Sequence, residues 1–239
     1  MIAKKIEIAA KNGDPEAQLA IGLSYLEEEN FEKAFYWFNK GSQKGHAQCQ
    51  CELGVLYAMG HGVVENQQKA FELYTKSANN GFWRAQGNLG HMYFYGKYAD
   101  QDYKEAARWY SKAARLGDMN AAAMLGRIFQ YGYSGKKDLS FAVGLYENAA
   151  EQGSSIAQGF LGVCYFHGDG VEKDYAKAAK WLEKAGLDGL SDAHFHLGVM
   201  YYEGLHFKKN VKKGAYWINL ARKDGHEFAQ EVWDKLKGR

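Results

Sequence analysis

The chain has 239 residues and carries 30 lysines and arginines against 28 aspartates and glutamates, a formal net charge of +2. This balance produces no global field that would favour nucleic acid or a membrane surface, and the hydrophobic share of 46% argues against disorder. No stretch approaches the ~18 apolar residues of a membrane span, and the first residues lack the apolar core of a signal peptide, so we expect a cytoplasmic location.

A glycine returns every 36 residues along the chain, and a Leu-Gly pair returns with the same period. The period glycines are Gly45, Gly81, Gly117, Gly153, Gly189 and Gly225. A fixed period of this length predicts stacked helical repeats, because each unit buries its apolar face only against its neighbours.

The repeats can be followed in chain order. Residues 3–12 resemble the second half of a repeat, which predicts a half repeat over residues 1–13. Six complete units are expected to follow, over residues 14–45, 46–81, 82–117, 118–153, 154–189 and 190–225. The first of them is four residues shorter, because Leu26–Glu29 replaces a longer loop. Residues 226–239 resemble a first helix alone and predict a C-terminal cap, so that residues 1–239 form a single solenoid with atypical ends.

Each unit is predicted to contain two helices; in residues 82–117 they are expected over Phe82–Tyr95 and Tyr103–Leu116. An Asn or Asp precedes every second helix and can accept hydrogen bonds from the free amides of its first turn. These N-cap residues are Asn30, Asn66, Asp102, Asp138, Asp174 and Asn210. The period glycine after the second helix can take the left-handed conformation that ends a helix.

A second glycine stands inside every first helix, at Gly22, Gly54, Gly90, Gly126, Gly162 and Gly198. Glycine in a helix interior costs roughly 1 kcal/mol relative to alanine, so its recurrence predicts a point where two helices approach closely. The second helices alternate small and bulky residues at helical spacing, a pattern that suits interlocked helices.

The unit over residues 154–189 carries the clearest family pattern. Its residues include Leu161-Gly162, the loop Gly168-Asp169-Gly170-Val171, Asp174, Trp181 and Gly189. In these residues and in its period the chain resembles Sel1-like repeat proteins, relatives of the tetratricopeptide family, whose period is ~34. The resemblance implies an all-α, right-handed α/α superhelical solenoid of about six helix-turn-helix repeats with a capping helix at each end. It also implies a concave face lined by the first helices and a role as an adaptor for other proteins.

If first helices line a concave groove, the positions that packing leaves free carry aromatic and basic side chains near the middle of the chain. Tyr and Arg are enriched at binding hot spots because they combine contact area with directional hydrogen bonds. The candidate partner-binding residues are Arg84, His91, Phe94, Tyr95, Arg127, Gln130, Tyr131, Phe166, His167 and Tyr202. For Phe94 and Phe166 an alternative stays open, since these rings could instead fill the gap between neighbouring units.

The histidines do not suggest a metal site. His194 and His196 are two residues apart on a predicted helix, and side chains at that spacing face away from each other. His46 and His226 occupy the same position of their repeats and are expected at the surface. The chain has no His-Glu-x-x-His and no Cys-x-x-Cys motif, so we predict no metal and no cofactor.

The cysteines give little support to catalysis. Cys49, Cys51 and Cys164 are odd in number and are expected to be small buried residues in a reducing compartment. Cys164 and His167 could be imagined as a nucleophile and its base, but Cys164 stands where other units carry packing residues. The basic clusters near the C-terminus lack an interleaved aromatic stack, which argues against nucleic-acid binding.

The sequence therefore predicts a bacterial, cytoplasmic, non-catalytic module that binds a peptide or protein partner in its concave groove, without metal, nucleic acid or membrane. A second interpretation is an immunity protein that binds and neutralises a bacterial toxin effector, a role that the family resemblance includes. A third is a hydrolase, which the histidines and Cys164 keep open.

Overall fold

The computed structural model describes residues 2–237, which form fourteen α-helices and no β-strand. In chain order the helices are α1 Ile2–Lys11, α2 Pro15–Glu27, α3 Phe31–Gln43, α4 Ala47–Met59, α5 Gln67–Asn79, α6 Trp83–Tyr95, α7 Tyr103–Arg115, α8 Met119–Tyr131, α9 Leu139–Glu151, α10 Ser155–His167, α11 Tyr175–Leu187, α12 Ser191–Glu203, α13 Val211–Lys223 and α14 Ala229–Lys237. This confirms the all-α repeat fold, with six helix pairs and one further helix at each end. None of the described helices combines the length and the apolar character needed to cross a bilayer.

The helices group into two compact units, the first ending at Asp118 and the second beginning at Met119. The first unit contains α1 to α7, and its pairs are α2 with α3, α4 with α5, and α6 with α7. The second unit contains α8 to α14, and its pairs are α8 with α9, α10 with α11, and α12 with α13. Within the second unit, α10 contacts both α8 and α12, so three first helices lie side by side there.

The predicted helix boundaries arise from local hydrogen bonding. All six Asn and Asp residues before second helices accept backbone amides; Asp102, for example, accepts from Lys104 N at 2.8 Å and from Glu105 N at 3.0 Å. The six period glycines all have φ between +79° and +97°, the left-handed region that a side chain disfavours. These two signals fix where each second helix begins and ends.

The glycines inside the first helices mark close helix contacts, as predicted. A Cβ added at Gly126 would lie 2.5 Å from Tyr146 Cε1, which is far inside normal contact distance. The same construction at Gly162 meets Leu182 at 2.7 Å, and at Gly198 it meets Ile218 at 2.6 Å. In every pair the bulky residue of the second helix occupies the space that glycine leaves open.

A further column of hydrogen bonds was not anticipated from the sequence. Gln18, Gln86 and Gln158 each donate a side-chain N–H to the backbone carbonyl eight residues earlier, at 3.0 to 3.3 Å. His194 occupies the same column, and its Nε2 lies 2.9 Å from Gly186 O. These buried side chains join four of the first helices, α2, α6, α10 and α12, to the end of the preceding helix, each adding a donor to a carbonyl of its last turn.

The expectation that His46 and His226 lie at the surface was wrong. Their side chains are only 15% and 7% exposed. His46 Nδ1 accepts the Cys49 amide at 3.2 Å, so this side chain caps α4. His226 Nδ1 likewise accepts the amide of Phe228, in a turn that delays the start of the last helix to Ala229.

Candidate binding groove in the second unit

The second unit contains an open groove with a volume of about 970 Å³. One side of each first helix lines it: Arg127, Gln130 and Tyr131 on α8, Ile156, Phe160, Val163, Phe166 and His167 on α10, and Asp192, Phe195, His196 and Val199 on α12. Leu190, Asp169 and the turn residues His226 and Phe228 complete the lining. Within this unit, the first helices therefore line the groove as the sequence predicted.

The floor of the groove is aromatic and aliphatic. Phe160, Val163, Phe166 and Phe195 are half-buried, so each ring or branch presents one side to the groove and packs the other against the unit. The Phe166 ring meets the ring of Tyr175 on the partner helix α11, with centroids 5.5 Å apart. The Phe166 ring also meets the ring of His196 in the next repeat, with centroids 5.0 Å apart. Phe166 thus packs between neighbouring repeats and contributes to the groove surface, which combines the two alternatives that its sequence position allowed.

Five of the ten candidate residues come together in this groove: Arg127, Gln130, Tyr131, Phe166 and His167. Tyr202 belongs to the same unit but does not line the groove; it is half-buried, with Lys209 Nζ 5.7 Å from its ring centroid. Gln130 faces the groove only marginally, because it is 8% exposed and its Oε1 accepts the Tyr146 hydroxyl at 2.8 Å. We therefore treat Gln130 as a packing residue and correct its assignment as a partner-binding residue.

The α8 side of the groove carries the polar aromatic surface that the sequence indicated. Tyr131 is 57% exposed and stacks on Tyr133, with ring centroids 5.3 Å apart and planes 16° apart. Partial burial raises the pKa of Tyr131, so its hydroxyl is a neutral hydrogen-bond donor at pH 7. Arg127 is half-buried, with its guanidinium carbon 5.9 Å from the centroid of the Phe160 ring.

The opposite end of the groove is a corner of residues that sequence reasoning missed. The His226 ring stacks on Phe195 with centroids 4.2 Å apart and planes 13° apart. Its Nε2 lies 3.4 Å from Asp192 Oδ1, and the Asp192 side chain is 59% exposed. His196 Nδ1 donates to the Asp192 backbone carbonyl at 2.8 Å. His46 and His226 occupy the same position of their repeats, which was a sequence signal for this corner, but both residues were predicted to lie at the surface.

The hydrogen bonds determine the protonation of the two histidines. His226 Nδ1 accepts an amide, so the proton of the neutral ring is on Nε2, the nitrogen that lies 3.4 Å from Asp192 Oδ1. Burial lowers the pKa of His226 and of His196, against the raising effect of Asp192. Both rings are therefore neutral at pH 7.

The candidate residues of the first unit are placed differently. Phe94 is 4% exposed and packs edge-on against Tyr103 at 5.2 Å, so its assignment as a partner-binding residue is corrected to a packing role. His91 and Tyr95 remain exposed, with ring centroids 4.4 Å apart. Arg84 is exposed as well, but its Nη1 lies 2.7 Å from Glu52 Oε1.

The pair of Arg84 and Glu52 holds a carboxylate that is almost fully buried, with a side chain only 4% exposed. Burial raises the pKa of Glu52, and the Arg84 charge opposes that effect. Arg84 therefore compensates a buried charge, a role that the sequence did not indicate and that limits how freely its guanidinium can serve a partner.

The described residues give little support to cysteine catalysis or to metal binding. Burial raises the pKa of all three free cysteines, Cys49, Cys51 and Cys164, to about 12, so they are neutral thiols rather than nucleophiles at pH 7. Cys164 is 1% exposed, and its sulfur is 3.8 Å from Gln130 Nε2. Across residues 2–237 no group of three or more His, Cys, Asp or Glu side chains is arranged to hold a metal ion.

Six repeated helix pairs, with a groove on the first helices of the second unit, define the molecule as an α/α repeat protein. The Sel1 repeat model matches six consecutive segments, residues 15–46, 47–82, 83–118, 120–154, 155–190 and 191–226. The chain therefore belongs to the Sel1 repeat family. Sel1 repeat proteins generally mediate interactions between proteins.

Solved structures show the same fold. A Sel1 repeat protein from Oxalobacter formigenes is 31% identical, with a TM-score of 0.80 over 89% of this chain and 89% of its own. A protective antigen of uropathogenic Escherichia coli is 28% identical, with a TM-score of 0.76 over 97% of this chain, which spans 50% of that protein. An immunity protein from Pseudomonas aeruginosa is 21% identical, with a TM-score of 0.54 over 90% of this chain and 81% of its own, a likeness of fold alone.

Proposed function

We propose that the chain is a non-catalytic protein-binding module and that the groove of its second unit holds a peptide or an exposed segment of a partner protein. The observation that carries this proposal is an open groove of about 970 Å³ whose walls combine half-buried aromatic rings with a few charged side chains. Concave, mostly apolar surfaces with a small number of placed polar groups are typical of binding sites.

Three side chains are suited to anchor such a partner. Tyr131 and His167 are exposed, and the Phe166 ring of the floor is edge-on to His167 at 4.9 Å. Aromatic side chains that neighbouring rings already restrain lose little conformational entropy when a partner covers them. We expect Tyr131 on α8 and His167 on α10 to contribute most of the binding energy.

The environment of Cys164 supports a non-catalytic role. Cys164, the nucleophile of the hydrolase interpretation, is buried, and the pKa of its thiol is raised to about 12. A catalytic cysteine requires the opposite environment, partly exposed and electropositive. The buried free thiols also support the proposed cytoplasmic location, where cysteines stay reduced.

The test is affinity capture from the native lysate, with bound proteins identified by mass spectrometry. The full chain is compared with the double variant Tyr131→Ala, His167→Ala. The matched control is Tyr216→Ala, which removes a similarly exposed tyrosine from second helix α13, outside the groove. We expect a partner that the control retains and the double variant loses. A partner retained by both would contradict the proposed groove.

The same experiment addresses the toxin-neutralising interpretation, which rests so far on a likeness of fold. An adaptor is expected to release its partner readily, whereas an inhibitor should hold a single effector tightly and protect cells that produce it. A captured effector whose toxicity is suppressed by the wild-type chain but not by the double variant would establish the inhibitor.

The exposed residues of the first unit form a separate proposal. Arg84, His91 and Tyr95 belong to α6, and we propose that they bind a second region of the partner. Tyr95→Ala in the same capture experiment measures their contribution, and unchanged recovery of the partner would remove them from the binding surface.

A further inference from the structure

The corner formed by Asp192, Phe195, His196, His226 and Phe228 is more organised than binding of an apolar segment would require. His226 Nε2 lies 3.4 Å from Asp192 Oδ1, while its Nδ1 accepts the amide of Phe228. Stacking on Phe195 holds the imidazole in place from the side. The His196 bond to the Asp192 carbonyl fixes the first turn of α12. One histidine ring therefore lies against an exposed carboxylate at the groove edge, and a second histidine bonds to the backbone of the same residue.

That carboxylate is not neutralised by its neighbours. Burial lowers the pKa of both histidines, so the His226 ring, whose Nε2 lies 3.4 Å from Asp192 Oδ1, is neutral at pH 7 and does not cancel the charge of that carboxylate. Phe228 also lines the groove; it is 54% exposed, and its ring centroid lies 6.1 Å from that of His226. An exposed carboxylate and an exposed phenyl ring that both flank the same imidazole are a suitable environment for a cation, which gains from the charge and from the ring face.

The charged side chains that line the groove also favour a basic partner residue. Of the charged residues among its described lining, Asp169 and Asp192 are acidic and Arg127 is basic, and no lysine lines it. Arg127 lies on α8, whereas Asp192 lies on α12, and α10 stands between them. Asp169 follows α10 and is close enough to raise the pKa of Tyr131 on α8, so Asp192 is the one charged lining residue on α12.

We propose that the partner segment places a lysine or arginine side chain on Asp192 in this corner, with a large apolar residue next to it on the floor formed by Phe166 and Phe195. This inference rests on the proposed groove function and specifies the chemistry of its partner. The cation donates to the free lone pairs of the Asp192 carboxylate, and its aliphatic stem lies along the Phe228 ring. Because Arg127 occupies the far wall, the basic residue also sets the direction in which the segment crosses α10.

The test uses short random peptides displayed on phage and selected in parallel on the full-length chain and on its Asp192→Lys variant. The wild type is expected to enrich peptides with Lys or Arg next to a large apolar residue. The charge-reversed variant is expected to lose that enrichment and to favour Asp or Glu at the same position. Circular dichroism of each variant verifies that it is folded.

A labelled peptide from the wild-type selection is then titrated against single variants by fluorescence anisotropy. Asp192→Asn is expected to raise Kd about tenfold, a typical effect of losing one charge-assisted hydrogen bond. The matched control is Asp188→Asn, which removes the same charge from an exposed position of the same unit outside the groove, and its Kd should equal that of the wild type.

The outcomes distinguish a failure of the Asp192 assignment from a failure of the proposed groove function on which it rests. A third variant, Val163→Trp, fills the floor of the groove and should abolish binding of every groove peptide. Selected peptides that need an open floor but carry no basic residue would overturn the assignment of Asp192 and leave the groove function standing. Selected peptides that bind Val163→Trp normally, or the absence of any selected peptide, would count against both.

Discussion

Substitution of Gly126 by alanine tests how the repeat packing supports the groove. The added Cβ would lie 2.5 Å from Cε1 and 3.0 Å from Cδ1 of Tyr146, a side chain with no exposed surface. The ring must therefore move by roughly 1 Å to reach normal contact distance. Its hydroxyl donates to Gln130 Oε1 at 2.8 Å, so the displacement also strains the hydrogen bond behind the α8 wall.

The expected magnitude follows from three opposing terms. Alanine gains about 1 kcal/mol over glycine in a helix interior. Overpacking costs about 1–3 kcal/mol, and loss of the Tyr146 hydrogen bond costs about 0.5–1.5 kcal/mol. We expect a net loss of about 2 kcal/mol, which lowers the Tm by about 4–8 °C for a chain of this size. Gly126→Val should lower it further, because a branched side chain adds more volume at the same point.

The matched control is Gly144→Ala in helix α9. An added Cβ there meets no atom within 4 Å, so only the gain in helix propensity remains and the Tm should rise slightly. Thermal unfolding followed by circular dichroism at 222 nm measures both variants. If Gly126→Ala melts at or above the wild-type temperature while Gly144→Ala behaves as expected, the glycine column is not a site of close packing.

Three further predictions concern capping, the buried charge and the thiols. Asp102→Ala removes the N-cap of α7 and should cost about 1 kcal/mol in urea unfolding, whereas Asp102→Asn should cost little. Arg84→Ala leaves Glu52 buried without its cation. Burial raises the pKa of Glu52, and protonation removes its charge, so the Tm deficit of the variant should be large at pH 7 and shrink as the pH falls towards 4. A deficit that does not change with pH would contradict the ion pair. With pKa values of about 12, only about one cysteine thiol in ten thousand is ionised at pH 8. The cysteines should therefore react with a thiol reagent far more slowly in the native chain than in urea. Equal rates would show that the cysteines are exposed.

Features that depend on neighbouring residues in sequence could be predicted from the sequence. The N-cap of Asp102 and the left-handed Gly117 act within one helix turn, so residue type and spacing are enough to locate them. The contact of Gly126 with Tyr146 could also be anticipated, because it joins two helices of one repeat and recurs at every period. The fold therefore followed from the repeat pattern almost completely.

How deeply an individual side chain is buried could not be predicted from the repeat pattern. Phe94 and Gln130 stand at repeat positions that were predicted to be free for a partner, but both are buried: Phe94 lies against neighbouring aromatic rings, and Gln130 accepts the Tyr146 hydroxyl. The periodic position gives the direction of a side chain from its helix and does not give the size of the space around it. The corner at Asp192 escaped notice because its partner His226 is a whole repeat away in sequence.

The central claim is that a partner binds across the first helices of the second unit. Hydrogen–deuterium exchange of the chain, alone and saturated with its captured partner or a selected peptide, tests this claim most directly. The account predicts added protection in α8, α10 and α12, centred on peptides that contain Tyr131, His167 and Asp192. Protection confined to the second helices α9, α11 and α13 would contradict it and place the binding surface on the opposite side of the repeats.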